Sequence, residues 1–372
     1  MAGERDSRAI WAQCERVVAG LSPVERDPRA TLRALAERAP VLADVDVYGE
    51  RALVERLEAR VAELLGKEAA VWMPSGTMAQ QIALRIHCER RGNRRIAFHP
   101  QCHLDHHEER GYTHVHGLQA DPLGSRERLA TADDLDAIRD PLGAVLLELP
   151  EREIGGQLRA WDDLVALCDK VRGRGIALHM DGARLWQCGL FYERGLDEIA
   201  GLFDTVYVSF YKDLGAPAGG ALAGPRDVID EARVWQIRHG GRLFTAYPFL
   251  IAAERGLDEL LPRMPEFVAR ARELAAALAE LDGIDVVPDP PQTAMFHVFV
   301  RRELEPLQEA ALDLAERTRT YLANFAATDV PGVQKAELTI GAPSFEVPVG
   351  EARDLWSELL STAVTTERGL SG

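Results

Sequence analysis

The sequence predicts an α/β protein with a large domain, whose strand ends carry the chemistry, and a small α+β domain after it. Three observations carry this. Short apolar, β-branched runs alternate with amphipathic stretches through the middle of the chain. Two of these runs end beside chemistry-bearing residues, Asp181 after residues 176–180 and Lys212 after residues 205–209. In open α/β sheets, ligand chemistry sits outside the carboxyl ends of the strands. At 372 residues, the chain also exceeds a usual single core, so two domains are expected. The reading divides it into an N-terminal helical segment (1–44), a large domain (45–261) and a small C-terminal domain (262–372).

The elements follow in order. Residues 10–18 and 28–38 read as helical, and Pro28 suits a helix start. Leu53, Leu57, Val61 and Leu64 form one helix face, stopped by Gly66. Residues 69–73 form a strand that runs through Pro74-Ser75-Gly76-Thr77 into a helix. Residues 96–100 are the next strand, 113–118 give a modest strand signal, and a helix begins near Asp133. The run 144–150 is a strongly apolar buried strand. Strands at 176–180, 205–209 and 221–223 complete the large domain, with a helix from Asp227. Beyond Pro262, helices at 267–281 and 307–322 alternate with strands at 284–287, 295–300 and 336–340. A last helix spans 355–364, so the region reads as α+β.

Composition narrows the function. Lysine and arginine count 43 against 59 acids, a formal charge of −16, which argues against a nucleic-acid or anionic-membrane partner. The N-terminal residues lack an apolar secretion core, and no apolar run reaches spanning length. Cys14, Cys88, Cys102, Cys168 and Cys188 are scattered without a paired spacing and read as reduced thiols of a cytoplasmic protein. His99, His103, His106 and His107 crowd one stretch, but no spacing fixes a metal geometry, so no metal is expected.

Lys212 is the centre of the chemical reading. A lysine ending a buried strand loses solvation, and an amine that sheds its proton forms Schiff bases with carbonyls. Asp181 supplies the acid that keeps a pyridine nitrogen protonated, so that the ring can take up electrons. At this point four stretches matter together: Asp46-Val-Tyr-Gly-Glu50, Pro74-Ser-Gly-Thr-Met-Ala79, His179-Met-Asp-Gly-Ala-Arg-Leu185 and Ser209-Phe-Tyr-Lys-Asp-Leu-Gly-Ala-Pro217. In content, order and spacing the chain resembles the threonine aldolase and β-eliminating lyase family of pyridoxal phosphate enzymes, as a divergent member.

That resemblance implies fold type I, with a mostly parallel seven-stranded sheet, pyridoxal 5'-phosphate as cofactor, and an active site at the interface of a homodimer or homotetramer. It implies Lys212 as the Schiff-base lysine, Asp181 under the pyridine nitrogen and His103 over the ring, with His106 the fallback. Ser75, Gly76, Thr77 and Ser209 are expected at the phosphate. The amides and dipole at a helix start favour an anion there. Tyr48 is either a ligand near the phosphate of a neighbouring subunit or an aromatic packed under its turn. Arg184 matches a family arginine that contacts the substrate carboxylate, a task its planar fork suits.

The departures cluster at the substrate. The family's opening Arg-Ser-Asp-Thr segment is absent. Where the family reads Glu-Asn-Thr-His-Asn, this chain has Glu148-Leu-Pro-Glu151-Arg152. Glu151 therefore stands at the histidine's position, either as a base for a substrate hydroxyl or as a solvated loop acid. Phe244 fills a family arginine position, with Arg242 the substitute from a shifted place. In the C-terminal lobe only Lys335 replaces a second carboxylate-binding arginine. The expected reaction is cleavage of the Cα–Cβ bond of a threonine-like β-hydroxy-α-amino acid to glycine and an aldehyde. The alternatives are β-elimination or transaldol transfer on another amino acid, or a regulatory protein that binds the cofactor without turnover.

Overall fold

A computed structural model describes residues 7–20, 28–39 and 44–363. The chain forms two compact units, one of Asp27–Met264 and one of Met1–Arg26 with Pro265–Gly372. The stretch 1–44, expected as one helical segment, is thus shared between them.

In chain order the strands are β1 (Arg16–Val17), β2 (Ala69–Met73), β3 (Arg95–Phe98), β4 (Gln119–Pro122), β5 (Ala144–Glu148), β6 (Ala177–Gly182), β7 (Thr205–Ser209) and β8 (Gly220–Gly224). The last five are β9 (Ile284–Val287), β10 (Met295–Val300), β11 (Thr320–Tyr321), β12 (Phe325–Ala327) and β13 (Gln334–Thr339). The larger unit holds a seven-stranded sheet in the order β2-β8-β7-β6-β5-β3-β4. All neighbours are parallel except those of β8, which runs antiparallel to β7 and β2. Two reversals at β8 bring β2 back into the direction of β7. The carboxyl ends of β2, β3, β5, β6 and β7 therefore share one edge, and each delivers a site residue to it.

The helix Gly76–Arg90 is buried over most of its surface between two clusters, its polar Gln80, Gln81 and His87 included. Ala79, Ile82, Ala83 and Ile86 pack with Val71, Met73, Tyr207 and Leu222. Leu84 and Cys88 pack with Ile96, Phe98, Ala144 and Leu146. Its polar side chains are matched to the sheet. His179 Nε2 donates to Gln80 Oε1 (2.6 Å), and Thr205 Oγ1 lies 2.8 Å from His179 Nδ1 and 2.7 Å from His87 Nε2. One consistent proton assignment satisfies all three contacts, with the Thr205 hydroxyl donating to His179 and accepting from His87. Burial holds both imidazoles down, to about 3 for His179 and about 4 for His87, so both are neutral. This chain of bonds pins the helix, and with it the Ser75–Thr77 turn, to β6 and β7.

The smaller unit has an antiparallel sheet in the order β12-β13-β10-β9 and a parallel pair of β1 with β11. Several local expectations change. The first helix spans only Ser7–Ala12, because Arg16–Val17 pairs with Thr320–Tyr321. Residues 113–118 are not a strand: a short helix covers Gly111–His114, and Val115 is exposed. The edge strand β4 starts at Gln119, where it comes into register with Arg95. The helix expected over 307–322 covers Leu304–Thr318 and stops at Arg319, whose φ is 56°. Helix Tyr247–Glu259 and strand β12 have no counterpart in the reading. The last helix begins earlier than expected, spanning Val349–Thr362; residue 364 lies outside the described residues. No helix among the described residues is long and apolar enough to cross a membrane.

Candidate active site

The strand β7 ends at Ser209, which is fully buried. Its Oγ accepts the Lys212 amide N–H at 3.2 Å, and its carbonyl accepts Trp186 Nε1–H at 2.8 Å. The following turn closes by Phe210 N–H to Gly219 O (3.0 Å) and Ala216 N–H to Phe210 O (2.8 Å). Gly219, at φ +96°, faces the indole of Trp72 so closely that a Cβ there would stand 2.6 Å from Nε1. Lys212 projects from this fixed turn. Burial depresses its amine, Arg184 adds to the effect, and the carboxyls of Asp181 and Glu148 oppose it. A desolvated lysine amine of this kind is a nucleophile.

Asp181 and Glu148 end the adjacent parallel strands β6 and β5 and face each other in register. Asp181 is buried, and its Oδ1 accepts the Ala183 N–H at 3.0 Å. Burial raises its carboxyl, with Lys212 and His103 opposing. Glu148 accepts the His103 amide at Oε2 (3.3 Å) and the Arg152 amide at Oε1 (3.2 Å). Burial, followed by the nearby Asp181 charge, pushes it up to about 7. Glu148 thus ties two loops to the strand edge, a role that reading the sequence alone did not give it.

His103 opens a short helix, His103–His106. Its Nδ1 lies 3.1 Å from Glu108 Oε1, and Glu108 Oε2 accepts from Gln81 Nε2 at 3.4 Å. Glu108 is therefore a second residue missed from sequence; its position five residues after His103 was the available signal. His106 points elsewhere, with Nε2 at 3.2 Å from the Pro100 carbonyl. Among the described residues, no group of His, Cys, Asp and Glu could hold a metal ion.

Ser75 caps the helix Gly76–Arg90, with Oγ accepting the Met78 N–H at 3.2 Å. Gly76 rests on the buried ring of Tyr207; a Cβ there would lie 2.2 Å from Oη. Thr77 is half-buried in the first turn. Arg184 is buried just past β6. Asp213, next to Lys212, accepts Gln187 Nε2–H at 2.6 Å, and burial raises it to about 6 against the opposing charge of Arg184.

Glu151 is not a solvated loop acid. It is fully buried, with Oε1 3.5 Å from His99 Nδ1. Neither carboxyl oxygen has a hydrogen-bond partner among the described residues. Burial and the neighbouring Glu148 push it well above the carboxylate range, so it holds its proton. Tyr48 is not packed under its turn either. It is half exposed, at φ 51°, and meets the exposed Phe244 edge to face at 5.3 Å. Arg242 is engaged in the same turn, donating Nη2–H to Glu50 Oε1 (2.6 Å) and Nε–H to the Tyr48 carbonyl. Lys335 lies in the smaller unit, on β13 opposite Phe299.

The residues present fit a pyridine cofactor: a desolvated amine, a buried acid within its electrostatic reach, and a capped helix start on the same edge. Fold and site together define a pyridoxal 5'-phosphate enzyme of fold type I. The chain belongs to the β-eliminating lyase family, whose pattern matches residues 28–302, and it is a pyridoxal-phosphate-dependent lyase. The low specificity L-threonine aldolase of Escherichia coli (strain K12) is 32% identical over 311 residues, 81% of this chain and 88% of its own length. The low-specificity L-threonine aldolase 1 of Arabidopsis thaliana is 30% identical over 255 residues, 65% of this chain and 70% of its own. A solved structure from Listeria monocytogenes EGD-E, described provisionally as an L-allo-threonine aldolase, superposes with a TM-score of 0.90 at 35% identity. That match covers 95% of this chain and 98% of the other.

Proposed function

We propose that this enzyme cleaves the Cα–Cβ bond of a β-hydroxy-α-amino acid to give glycine and an aldehyde. The observation that carries the reading is the desolvated Lys212 amine within electrostatic reach of Asp181, Glu148 and Arg184 at the β5–β7 edge. The threonine aldolase names of the relatives supply the substrate class. In this reading Lys212 would hold the cofactor's aldehyde carbon, Asp181 its pyridine nitrogen and His103 its ring face. Ser75, Gly76, Thr77 and Ser209 would hold its phosphate, the two serine hydroxyls donating through hydrogens that their present contacts leave available. When bound, the cofactor supplies an electron sink for the pair left at Cα.

The chain's own residues do the rest. Arg184, buried just past β6 and close enough to Lys212 to depress its amine, takes the substrate carboxylate, as the family resemblance implies. Glu108 fixes the His103 ring, and Glu148 fixes its backbone. Glu151 retains its proton in a closed pocket and is poorly suited to accept one from a hydroxyl. The exposed Tyr48–Phe244 pair supports a homodimer or homotetramer, with Tyr48 offered to a second copy near its phosphate site. A cytoplasmic location accords with five scattered cysteines that lack a paired spacing.

The test is to incubate the purified holoenzyme with L-threonine and with L-allo-threonine and to assay glycine and acetaldehyde. Equimolar products are expected, falling by at least about a thousandfold in Lys212→Ala, since covalent catalysis is lost. Turnover of both amino acids by elimination, without glycine, would refute the aldolase reading. Full activity in Lys212→Ala would refute the mechanism.

A further inference from the structure

A second carboxylate–histidine arrangement joins Glu153, in the loop after β5, to His107, in the segment between β3 and β4. His107 follows the short helix that begins at His103, and its ring centroid lies 5.0 Å from that of His103. His107 Nε2 is 2.8 Å from Glu153 Oε1. Glu153 is recessed and His107 more open, with side chains 16% and 39% exposed. Arg152 and His106 also stand beside the pair: Arg152 Nη1 is 3.2 Å from the same Nε2 and 3.4 Å from Glu153 Oε1, and the His106 ring is 6.3 Å from that of His107.

The shorter of the two contacts to Nε2 assigns the tautomer. A carboxylate oxygen at 2.8 Å requires a hydrogen on Nε2, because two lone pairs at that separation repel. Arg152 Nη1, at 3.2 Å, competes for the same nitrogen and also pairs with Glu153, and we assign the hydrogen by the nearer carboxylate. With Nε2 protonated, Nδ1 carries the lone pair. This is the orienter-and-base logic by which a carboxylate prepares an imidazole to receive a proton.

We propose that His107 is the catalytic base for the substrate β-hydroxyl and that Glu153 is its positioning residue. The proposal rests on the aldolase reading above. It also accounts for the replacement at Glu151: that carboxyl faces inward to His99, while a histidine beside His103 serves the same reacting oxygen. The hydroxyl hydrogen passes as a proton to His107 Nδ1. The O–H electrons close the aldehyde carbonyl, and the Cα–Cβ pair stays with Cα. That carbon takes up one proton to become glycine, and His107 gives its proton back to solvent.

The experiment compares the native holoenzyme with His107→Phe, His107→Asn and Glu153→Gln. The readouts are retro-aldol rates on L-threonine, L-allo-threonine and β-phenylserine, and Cα hydrogen exchange of glycine in deuterium oxide. Glycine carries no β-hydroxyl, so its exchange does not need this base. The expected result for both His107 variants is a fall in retro-aldol kcat of roughly a hundredfold, the usual scale of general-base loss. Glycine exchange and cofactor absorbance should stay within threefold of native. Glu153→Gln should lower kcat and alter its pH profile, not KM.

A measurement free of turnover accompanies these. Nitrogen-15 NMR of the cofactor-free protein should show His107 with a pyridine-like Nδ1 and a protonated Nε2. Retro-aldol rates in both His107 variants within threefold of native would overturn the proposal, as would the opposite tautomer. Equal loss of glycine exchange and retro-aldol rate would also overturn it, by making His107 a part of cofactor or carboxylate binding. A native enzyme that cleaves none of the three substrates would instead bring down the aldolase reading itself.

Discussion

Replacing Glu148 by glutamine should produce a stability difference that changes with pH. In the cofactor-free protein, Glu148 is held near 7 by burial and by Asp181, against 4.5 for an ordinary glutamate. The folded state then retains a proton that the unfolded chain has released. Stability contributed by this group is complete below pH 4.5 and is lost as pH rises to about 7. At ~1.4 kcal/mol per pH unit, the loss is about 3 kcal/mol, of which about 2 kcal/mol falls between pH 5.5 and 8.5.

Glutamine removes that titration but introduces a second problem. Both oxygens of Glu148 accept backbone N–H groups, from His103 and Arg152. The amide oxygen of glutamine can accept only one of these N–H groups and its NH2 then faces the other donor, at a cost of about 1–3 kcal/mol. Glu148→Gln should therefore be less stable than the parent at pH 5.5. By pH 8.5 the difference should move by about 2 kcal/mol in the variant's favour. Urea unfolding of both proteins at one concentration, at pH 5.5, 7 and 8.5, gives that double difference; groups that titrate alike in both cancel. A difference constant to within about 0.5 kcal/mol would show that Glu148 does not titrate in this window and would refute the argument.

Two other outcomes follow from the contacts around the helix Gly76–Arg90. Gly76→Ala should cost about 1–3 kcal/mol by overpacking, because the new Cβ would meet both Oη and Cζ of Tyr207 at 2.2 and 2.5 Å. Its affinity for pyridoxal 5'-phosphate should fall with it, and Tyr207→Phe should fail to rescue either, since Cζ remains; unchanged cofactor binding by fluorescence titration would contradict this. Thr205→Val should lower the urea midpoint by an equivalent of about 2–4 kcal/mol, since it strands His87 Nε2–H and His179 Nδ1 together; a loss under about 0.5 kcal/mol would mean that water replaces the hydroxyl.

Much of the centre of this protein was legible in its residues. The run Thr205–Ser209 is a strand because its residues are β-branched or aromatic and buried on both faces. Asp181, Lys212 and the Ser75–Thr77 turn declare themselves as a buried acid, a strand-end amine and a helix start. Each lies in a short contiguous stretch, but only the four stretches together, through the family they resemble, give these residues their roles. The length of the chain foretold two domains, alternation foretold the smaller α+β region, and the family resemblance implied the mostly parallel sheet.

The tertiary structure decided whatever depends on partners distant in sequence. Arg16–Val17 became a strand because Thr320–Tyr321 lies beside it, which no local window contains. Glu148 matters because strand register places it opposite Asp181. Whether Glu151 met water or a closed pocket depended on how the loop after β5 folds back on His99. Arg242, chosen for its charge, is occupied by Glu50, 192 residues earlier in the chain. His107 and Glu153 are 46 residues apart and meet at 2.8 Å. Residue type fixes which chemistry a side chain can perform. Burial and the nearest charge fix its protonation, and those are properties of the folded chain alone.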